Sequence, residues 1–355
     1  MNYSNASEWH NIRRSRGFRL CPSIKSLFKK DASLIIQIFL NPILQLIIAY
    51  LCSRLNYLTI LVISWSIGSF LVFMKSNLLH EMSHNLIFGK MSSNIKTIIM
   101  TWISIPNVSS ELYYYYRFHH LAHHKQFGKD DLEESIFNHY IRPVDMDTII
   151  FFRLLRIRKK DHLLSNIPKG NFIRIVYIGL IPAINWVNYF LLIIGFNIFY
   201  LFQSIKGNHD HSITKKVLND FSQIILVFGL NIFLYIITNS WKPSLYLSLS
   251  YLFFKGFLWH PYLAFWLSIH QTGKSGEPTQ SVYSPFMRFI TLDMCFHVEH
   301  HDFPQIPVKS LSGIRRLIPE LYNHGSPIKK GYWSTLKEYY INDNWVYGRH
   351  NIDLP

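Results

Sequence analysis

The chain has 355 residues, of which 49% are hydrophobic and only 16% are charged. An average soluble domain carries about 25% charged residues, so this composition argues against an ordinary soluble enzyme and against a disordered chain. The net charge is nevertheless +15, and the chain contains 18 histidines. An apolar, basic and histidine-rich composition favours a membrane protein with a metal site over a nucleic-acid-binding protein.

The N-terminal region is polar and basic. Residues 1–32 lack the apolar core of a signal peptide, so we predict a basic cytosolic segment followed by one membrane domain over 33–355. The three cysteines, Cys21, Cys52 and Cys295, lie far apart in the sequence and form no CxxC motif. They therefore indicate no metal site, and they fit a reducing compartment.

Four apolar runs follow, and each is close to the roughly 20 residues that a helix needs to cross a bilayer. The predicted transmembrane helices cover residues 33–52, 58–79, 220–238 and 244–267. Short links join the first helix to the second and the third to the fourth, which predicts two helical hairpins. The predicted fold class is therefore an all-α integral membrane protein with four transmembrane helices.

The distribution of basic residues predicts the orientation of these hairpins. Each short link holds a single basic residue, Arg54 or Lys242, whereas most others lie in the N-terminal segment, the central loop and the C-terminal tail. These three regions should therefore be cytosolic. A fifth apolar stretch, 172–202, contains Pro182 and several polar residues, so we predict that it lies in the interface or re-enters the membrane. Residues 268–355 would then form a cytosolic cap.

Three histidine clusters lie beside the predicted helices: HEMSH at 80–84, HHLAHH at 119–124 and HVEHH at 297–301. We call them boxes one, two and three. Residues i, i+3 and i+4 of a helix share one face, so each box can present several imidazoles together. The predicted ligands are His80, His84, His120, His123, His124, His297, His300 and His301. Eight imidazoles are too many for one ion, and they suit two transition-metal ions.

Other histidines receive different predictions. His270, near the cytosolic end of the fourth predicted helix, is a ninth candidate ligand, and His119 also has a usable spacing. His260 lies deeper and is predicted to be structural or to support a ligand. The isolated histidines are expected to be solvated; these are His10, His139, His162, His209, His211, His324 and His350.

Three functional classes fit parts of this pattern. Box one satisfies the HExxH motif of zinc proteases, which leaves the other two boxes unexplained. A metal transporter would hold its ligands near the membrane midplane, whereas these boxes are predicted at one membrane face. The third class is an oxygen-activating di-iron enzyme acting on lipid, because an unactivated C–H bond is too strong for acid–base chemistry alone.

The boxes and their flanking residues resemble the membrane fatty acid desaturase superfamily, and within it the sphingolipid Δ4-desaturases. The segment HVEHHDFPQIP at 297–307 is similar to that family's HxEHHDFPxIP. HEMSHN at 80–85, followed by Phe88-Gly89, is similar to its HExxHNxxFG, and PSIKSL at 22–27 resembles its PxIKxL. His260-Pro261 followed by His270 also resembles the family's spacing before box three.

The resemblance implies a cytosolic cap that holds two iron ions over four transmembrane helices. It implies that O2 and two electrons are used to insert a trans C4–C5 double bond into the sphingoid base of dihydroceramide. Electrons would come from NADH through cytochrome b5 and its reductase, or from a ferredoxin in a bacterium. The membrane would be the endoplasmic reticulum or a bacterial inner membrane. A fatty-acyl desaturase and a sphingolipid C4-hydroxylase stay open as alternatives.

Several further residues are candidates to support a ligand or to contact substrate. Asp293 stands where the family tends to carry asparagine, and Lys255 falls inside the fourth predicted helix. A lysine there must snorkel or pair, or bind a lipid head group. Glu299 and Asp302, within and after box three, complete this set.

Overall fold

The computed structural model describes residues 6–107, 111–121, 124, 211–269 and 279–322, with single positions at 172, 176, 179, 180 and 183. Throughout these ranges the secondary structure is helical and contains no β-strand, as the sequence predicted. Most of the stretch 172–202 and the end of the proposed cap, residues 323–355, lie outside the described residues.

The described part of the N-terminal half contains five helices. They are α1 (Ala6–Leu20), α2 (Leu34–Cys52), α3 (Tyr57–Ser83), α4 (Ser93–Ser104) and α5 (Glu111–Tyr114). A 3-10 turn, Pro22–Leu27, follows α1, and a π-helix, Tyr115–His119, continues α5.

The C-terminal half of the described chain is also helical. Its elements are α6 (His211–Thr238), α7 (Lys242–Phe254), α8 (Tyr262–Ser268), α9 (Pro285–Thr291), α10 (His297–Asp302), α11 (Leu311–Leu317) and α12 (Pro319–Tyr322).

The first predicted hairpin corresponds to two helices that are long and apolar enough to cross a membrane. α2 has 19 residues with mean hydropathy 2.1, and α3 has 27 residues with mean hydropathy 2.0. Large apolar side chains of α2 face outward; Ile36 and Leu40 are 65% and 58% exposed. An exposed apolar stripe of this kind is typical of a surface that meets lipid. In α6, the apolar segment Ser222–Thr238 is shorter.

The fourth predicted span, 244–267, is not one continuous helix. α7 ends at Phe254, and the chain turns through Gly256, whose φ is +96°. A Cβ at Gly256 would lie 2.6 Å from the Cα of Leu263, so only glycine fits there. Leu258 also adopts a positive φ of 50°, and the helix resumes only at Tyr262. Lys255 consequently ends α7 instead of lying in mid-helix.

The two hairpins pack through α3 and α7. A short π-helix, Ser64–Gly68, interrupts α3 where it meets α7. The carbonyl oxygen of Trp65 in this segment lies 2.8 Å from Nε2 of His260, which follows α7. At Gly68 the helices come so close that a Cβ would lie 2.1 Å from Ser250 Oγ. This packing places the C-terminal end of α3, which carries box one, beside the cap helices.

Candidate metal centre

Box one occupies the last turn of α3. The helix runs beyond the predicted boundary at residue 79, so His80 is helical and His84 is the C-cap residue. Asn85 then turns the chain with a φ of 61°, a conformation that asparagine tolerates better than most residues. Lys96 of α4 fixes this end, since its Nζ donates to the carbonyl of Ser83 and to Asn85 Oδ1, both at 3.1 Å.

Box two follows the π-helix Tyr115–His119. The hydroxyls of Tyr116 and Ser76 are hydrogen-bonded at 2.7 Å, which ties this π-helix to α3. The hydroxyl of Tyr115 lies 3.5 Å from Nδ1 of His120. These contacts bring His120 and His124 to the side chains of box one.

Box three is the short helix α10, and every one of its six residues is buried. Because His297, His300 and His301 stand at i, i+3 and i+4, the helix turns them toward a common side. His300 is the central member, since its Nε2 lies 2.9 Å from Nε2 of His80 and 2.9 Å from Nε2 of His124.

Five histidines from the three boxes form one cluster. Within it, one nitrogen from each residue lies within 4.8 Å of all the others; the members are His80, His84, His120, His124 and His300. The Nε2 atoms of His84 and His120 are 2.9 Å apart, and those of His120 and His124 are 3.2 Å apart. All five are among the eight residues that the sequence predicts as ligands.

A second group adjoins this cluster. The Nε2 atoms of His297 and His301 are 3.1 Å apart. The ring of His301 also contacts that of His124, with centroids 4.3 Å apart. Box three thus contributes His300 to the five-histidine cluster and two imidazoles to a group beside it.

The chemistry of these donors fits transition-metal ions. Ligand nitrogens of one ion, with metal–nitrogen bonds of about 2.1 Å, lie about 3.0 Å apart at right angles and about 3.4 Å apart in a tetrahedral site. The Nε2–Nε2 separations of 2.9 to 3.2 Å observed here are close to the first value. Burial lowers the pKa of His84 to about 3, with a further contribution from Lys96. Burial and the neighbouring imidazoles hold the pKa of His120 well below its usual value. Both rings are therefore neutral at pH 7, as a metal ligand must be.

The glutamate of box one faces away from the cluster. Glu81 Oε1 lies 3.3 Å from Nδ1 of His80, on the opposite side of the ring from the clustered Nε2. The same oxygen accepts a hydrogen bond from the backbone N–H of Val308 at 3.4 Å. A zinc protease needs this carboxylate next to metal-bound water, and the observed contacts do not put it there.

Glu299 supports box three from behind. Its carboxylate accepts hydrogen bonds from the hydroxyls of Tyr283 at 2.5 Å and Ser281 at 2.8 Å. Ser281 Oγ in turn accepts from the N–H of Val298 at 2.9 Å. Burial raises the pKa of Glu299 to about 7, although these hydrogen bonds lower it. Glu299 is thus hydrogen-bonded to the residues before box three, and its supporting role stays a prediction.

Asp302 is a buried anchor for the N-terminal helix. Its carboxylate accepts hydrogen bonds from His10 Nδ1 at 2.7 Å, Arg13 Nε at 2.9 Å and the Tyr322 hydroxyl at 2.8 Å. Burial raises the pKa of Asp302, but Arg13 and His10 outweigh it and hold the pKa below its usual value. The prediction that His10 is solvated is wrong: α1 packs on box three, and His10 is only 4% exposed.

Two other candidates lie away from the cluster. His260 is hydrogen-bonded to the Trp65 carbonyl and lies 3.2 Å from Ser69 Oγ, so it links the end of α7 to α3. Asp293 has a φ of 68° and pairs with Arg288. Asparagine and aspartate both tolerate that conformation, which explains why aspartate can replace asparagine there.

Some predicted residues cannot be placed in this geometry. His123, His270 and the side chain of His119 lie outside the described residues. Conversely, the sequence reasoning did not single out His10, Arg13, Tyr115 or Tyr116. For His10 and Arg13 the sequence holds one local signal, which is that they share one face of a helix with Arg14.

The comparisons with known proteins agree with this geometry. The sequence model of the fatty acid desaturase family matches residues 55–332. Sphingolipid delta(4)-desaturase DES1 of Bos taurus is 26% identical over 318 residues, which is 89% of this chain and 83% of the relative. The human protein of the same name has the same identity and coverage. A DES1-like protein of Oryza sativa is 28% identical over 344 residues, covering 97% of this chain and 89% of the relative. No solved structure matches the chain significantly.

Proposed function

The chain belongs to the fatty acid desaturase family and is an oxidoreductase, and we propose that it introduces a trans C4–C5 double bond into the sphingoid base of dihydroceramide, giving ceramide. The observation that carries this proposal is the convergence of the three boxes on one buried cluster. The relatives named as sphingolipid delta(4)-desaturases cover most of the chain. They favour a sphingoid base over a fatty-acyl chain as the substrate.

We propose that the boxes hold two iron ions. The five-histidine cluster and the adjoining pair, His297 and His301, support two neighbouring positions. His123 and His270, outside the described residues, complete the proposed set on the basis of their places in the sequence. Imidazole nitrogen suits iron as well as zinc and copper, so the donor set fits this assignment.

The proposed reaction needs an external donor of two electrons, because the substrate supplies only two of the four electrons that reduce O2 to water. Bound iron supplies the reduction of O2 that makes an unactivated C–H bond breakable. Overall, O2 becomes two waters, taking two hydrogens from the substrate and two electrons and two protons from the donor. The second bond forms between the two carbons that lose hydrogen.

The protein's own contribution is to orient the imidazoles and to exclude bulk water. His80 and His300 are 2% and 0% exposed, so the site is shielded from solvent. Lys96 fixes the end of α3, and Glu299 and Asp302 fix α10 from the opposite side to the cluster. A scaffold of hydrogen bonds of this kind holds each ring in the orientation that metal binding requires.

Two other functions receive less support. The direction of Glu81 toward Val308 is unfavourable for a zinc protease. The boxes gather at one end of α3, whereas a transporter would place its ligands near the middle of the spanning helices.

The partners that we propose follow from the reaction. The substrate is a membrane lipid, and the electrons come from cytochrome b5 with its NADH-dependent reductase, or from a ferredoxin in a bacterium. We propose the endoplasmic reticulum membrane in a eukaryotic cell, or the inner membrane in a bacterium, with both termini cytosolic.

Lipid mass spectrometry tests this function. Cells that express the chain receive dihydroceramide, and the products are compared with those of cells expressing a His300→Ala variant. The proposal predicts that only cells with the unaltered chain form ceramide, which has two hydrogens fewer than dihydroceramide, and that its new double bond maps to C4–C5. A product that gains one oxygen indicates a hydroxylase, and an altered fatty-acyl chain indicates another substrate; either result contradicts the proposal.

A further inference from the structure

The N-terminal helix contacts the metal centre through a buried histidine. His10 lies on the inner face of α1, and its Nδ1 donates to Asp302 Oδ1 at 2.7 Å. Its Nε2 lies 3.2 Å from Thr279 Oγ1. Because the carboxylate can only accept, the proton lies on Nδ1 and Nε2 accepts from the threonine hydroxyl. Both ring nitrogens are thereby fixed, and His10 has one defined orientation.

Two arginines on the same face of α1 reinforce this contact. Arg13 donates to Asp302 Oδ2 at 2.9 Å and lies over the rings of Trp9 and Tyr322, at 4.4 and 5.0 Å from their centroids. Arg14 donates to the backbone carbonyls of Asp302 at 2.5 Å and His301 at 3.2 Å. Helix α1 therefore holds the side chain of Asp302 and the backbone of His301 and Asp302, the last two residues of α10.

His10 also touches a proposed ligand directly. Its ring is stacked on that of His301, with centroids 5.0 Å apart and an interplanar angle of 29°. His301 Nε2 lies 3.1 Å from His297 Nε2, inside the proposed second iron position. Rotation of the His301 ring is thus limited by His10 as well as by its neighbours in the boxes.

We propose that His10, held by Asp302, is a positioning residue for box three: it sets the orientation of His301 and so determines how firmly one of the two ions is held. This inference rests on the proposed function, because it assigns His301 to iron. The alternative is that α1 only covers the cap and contributes general stability. Partners behind a ligand typically change metal affinity about 10–100-fold when they are replaced, whereas a covering helix changes the stability of the iron-free protein.

Three variants of the full-length protein separate these roles. His10→Phe keeps a ring against His301 but removes both hydrogen bonds. His10→Asn keeps a donor at the position of Nδ1 and removes the ring. Arg16→Ala is the matched control, since Arg16 lies on the exposed face of the same helix. Each purified protein is titrated with an iron chelator, its Mössbauer spectrum is recorded, and the unfolding temperature of its iron-free form is measured.

The proposal predicts that His10→Phe loses one of its two irons at about 10–100-fold lower chelator concentration than wild type. The Mössbauer signal of that iron should change. His10→Asn should recover most of the loss, and Arg16→Ala should match wild type. If His10→Phe does not fold, Asp302→Asn takes its place in the same titration, with the same expected loss of one iron.

Either of two results would overturn the inference. One is a His10→Phe protein with wild-type iron retention and spectrum, even if its iron-free form unfolds at a lower temperature. The other is a His10→Asn protein that is no better than His10→Phe. Wild-type protein that binds no iron is a different result, visible before any variant is compared, and it would overturn the proposed function as well.

Discussion

Single residues in this protein show that buried histidines have different roles according to their contacts. His300 lies between His80 and His124, with both Nε2–Nε2 distances at 2.9 Å. His260 is also buried, but its ring contacts the Trp65 carbonyl, Ser69 Oγ and the backbone N–H of Tyr262. The first position fits a ligand, and the second fits a link between helices.

Replacing His300 should therefore affect iron binding and activity, whereas replacing His260 should affect stability. We expect His300→Ala to abolish desaturation and to lower the iron content. The substitution removes the box-three imidazole that contacts His80 of box one and His124 of box two. His260→Ala should keep its iron but lose about 1–3 kcal/mol of stability through the lost hydrogen bonds. Iron analysis and thermal unfolding of both variants check this. A His300→Ala protein with full iron and activity contradicts the assignment.

At Asp293, we expect the backbone conformation of the residue, and not its charge, to decide which substitutions the stability of the protein tolerates. With a φ of 68°, Asp293→Asn should change stability by less than about 1 kcal/mol, since the ion pair that it loses with Arg288 lies near the surface. Asp293→Val should cost about 1–2 kcal/mol or more, because a β-branched residue resists the left-handed region. Equal thermal stability of the two variants would argue against this account.

The ligand residues were predictable because their spacing is local: HxxxH and HxxHH place imidazoles on one face wherever a helix forms. The role of His10 was not predictable in the same way, since its partner Asp302 is 292 residues away. Similarly, only the folded chain shows that Glu81 turns toward Val308, because its sequence position in HExxH fits either direction.

At the scale of helices, the contact between α3 and α7 depends on a residue without a side chain. A Cβ at Gly68 would lie 2.1 Å from Ser250 Oγ and 2.9 Å from Ser250 Cβ. Both atoms are buried near the helix crossing, so the neighbour has little room to move. By contrast, a Cβ added at Gly229 in α6 would meet no atom within 4 Å.

We therefore expect Gly68→Ala and Gly229→Ala to differ. Gly68→Ala should destabilise the protein by about 1–3 kcal/mol, as overpacking of a close contact does. Gly229→Ala should be neutral or stabilising by up to about 1 kcal/mol, since alanine is the better helix former. Thermal unfolding of the two variants in detergent compares them. A tolerated Gly68→Ala would show that α3 and α7 are not held this closely.

Hydropathy predicted the position of the helices better than their continuity. The apolar run 244–267 reads as one span, but the chain turns at Gly256 and resumes as a helix at Tyr262. The left-handed residues at Leu258 and Trp259 have no sequence signature, because leucine and tryptophan rarely adopt that conformation. Within the turn, Gly256 lies against Leu263 and the ring of His260 contacts that of Trp65. Contacts of this kind are not visible in the composition of the segment.

At the scale of the whole molecule, the contacts constrain the topology. α1 is bonded to α10 through Asp302, and box three contacts box one through His300 and His80. We therefore expect the N-terminal helix and all three boxes to lie on one side of the membrane, and the link between α2 and α3 to lie on the other. The distribution of basic residues predicts the same arrangement.

Cysteine labelling in sealed vesicles with the cytosolic face outward tests this topology. Two variants are made in a Cys21→Ser background, because Cys21 is free and partly exposed. Arg19→Cys in α1 should then react with a membrane-impermeant thiol reagent. Arg54→Cys in the link should react only after the vesicles are opened, because the bilayer shields it. Both positions are exposed arginines, which makes the pair well matched. Equal labelling of the two in sealed vesicles would contradict the arrangement.

The metal content of the purified protein tests the central claim most directly. Wild-type protein, purified without added metal and then loaded with ferrous iron, is analysed for iron and zinc per chain. The account predicts two irons per chain, because the five-histidine cluster and the pair His297 and His301 form two adjacent positions. A single zinc per chain, with no iron retained, would contradict it.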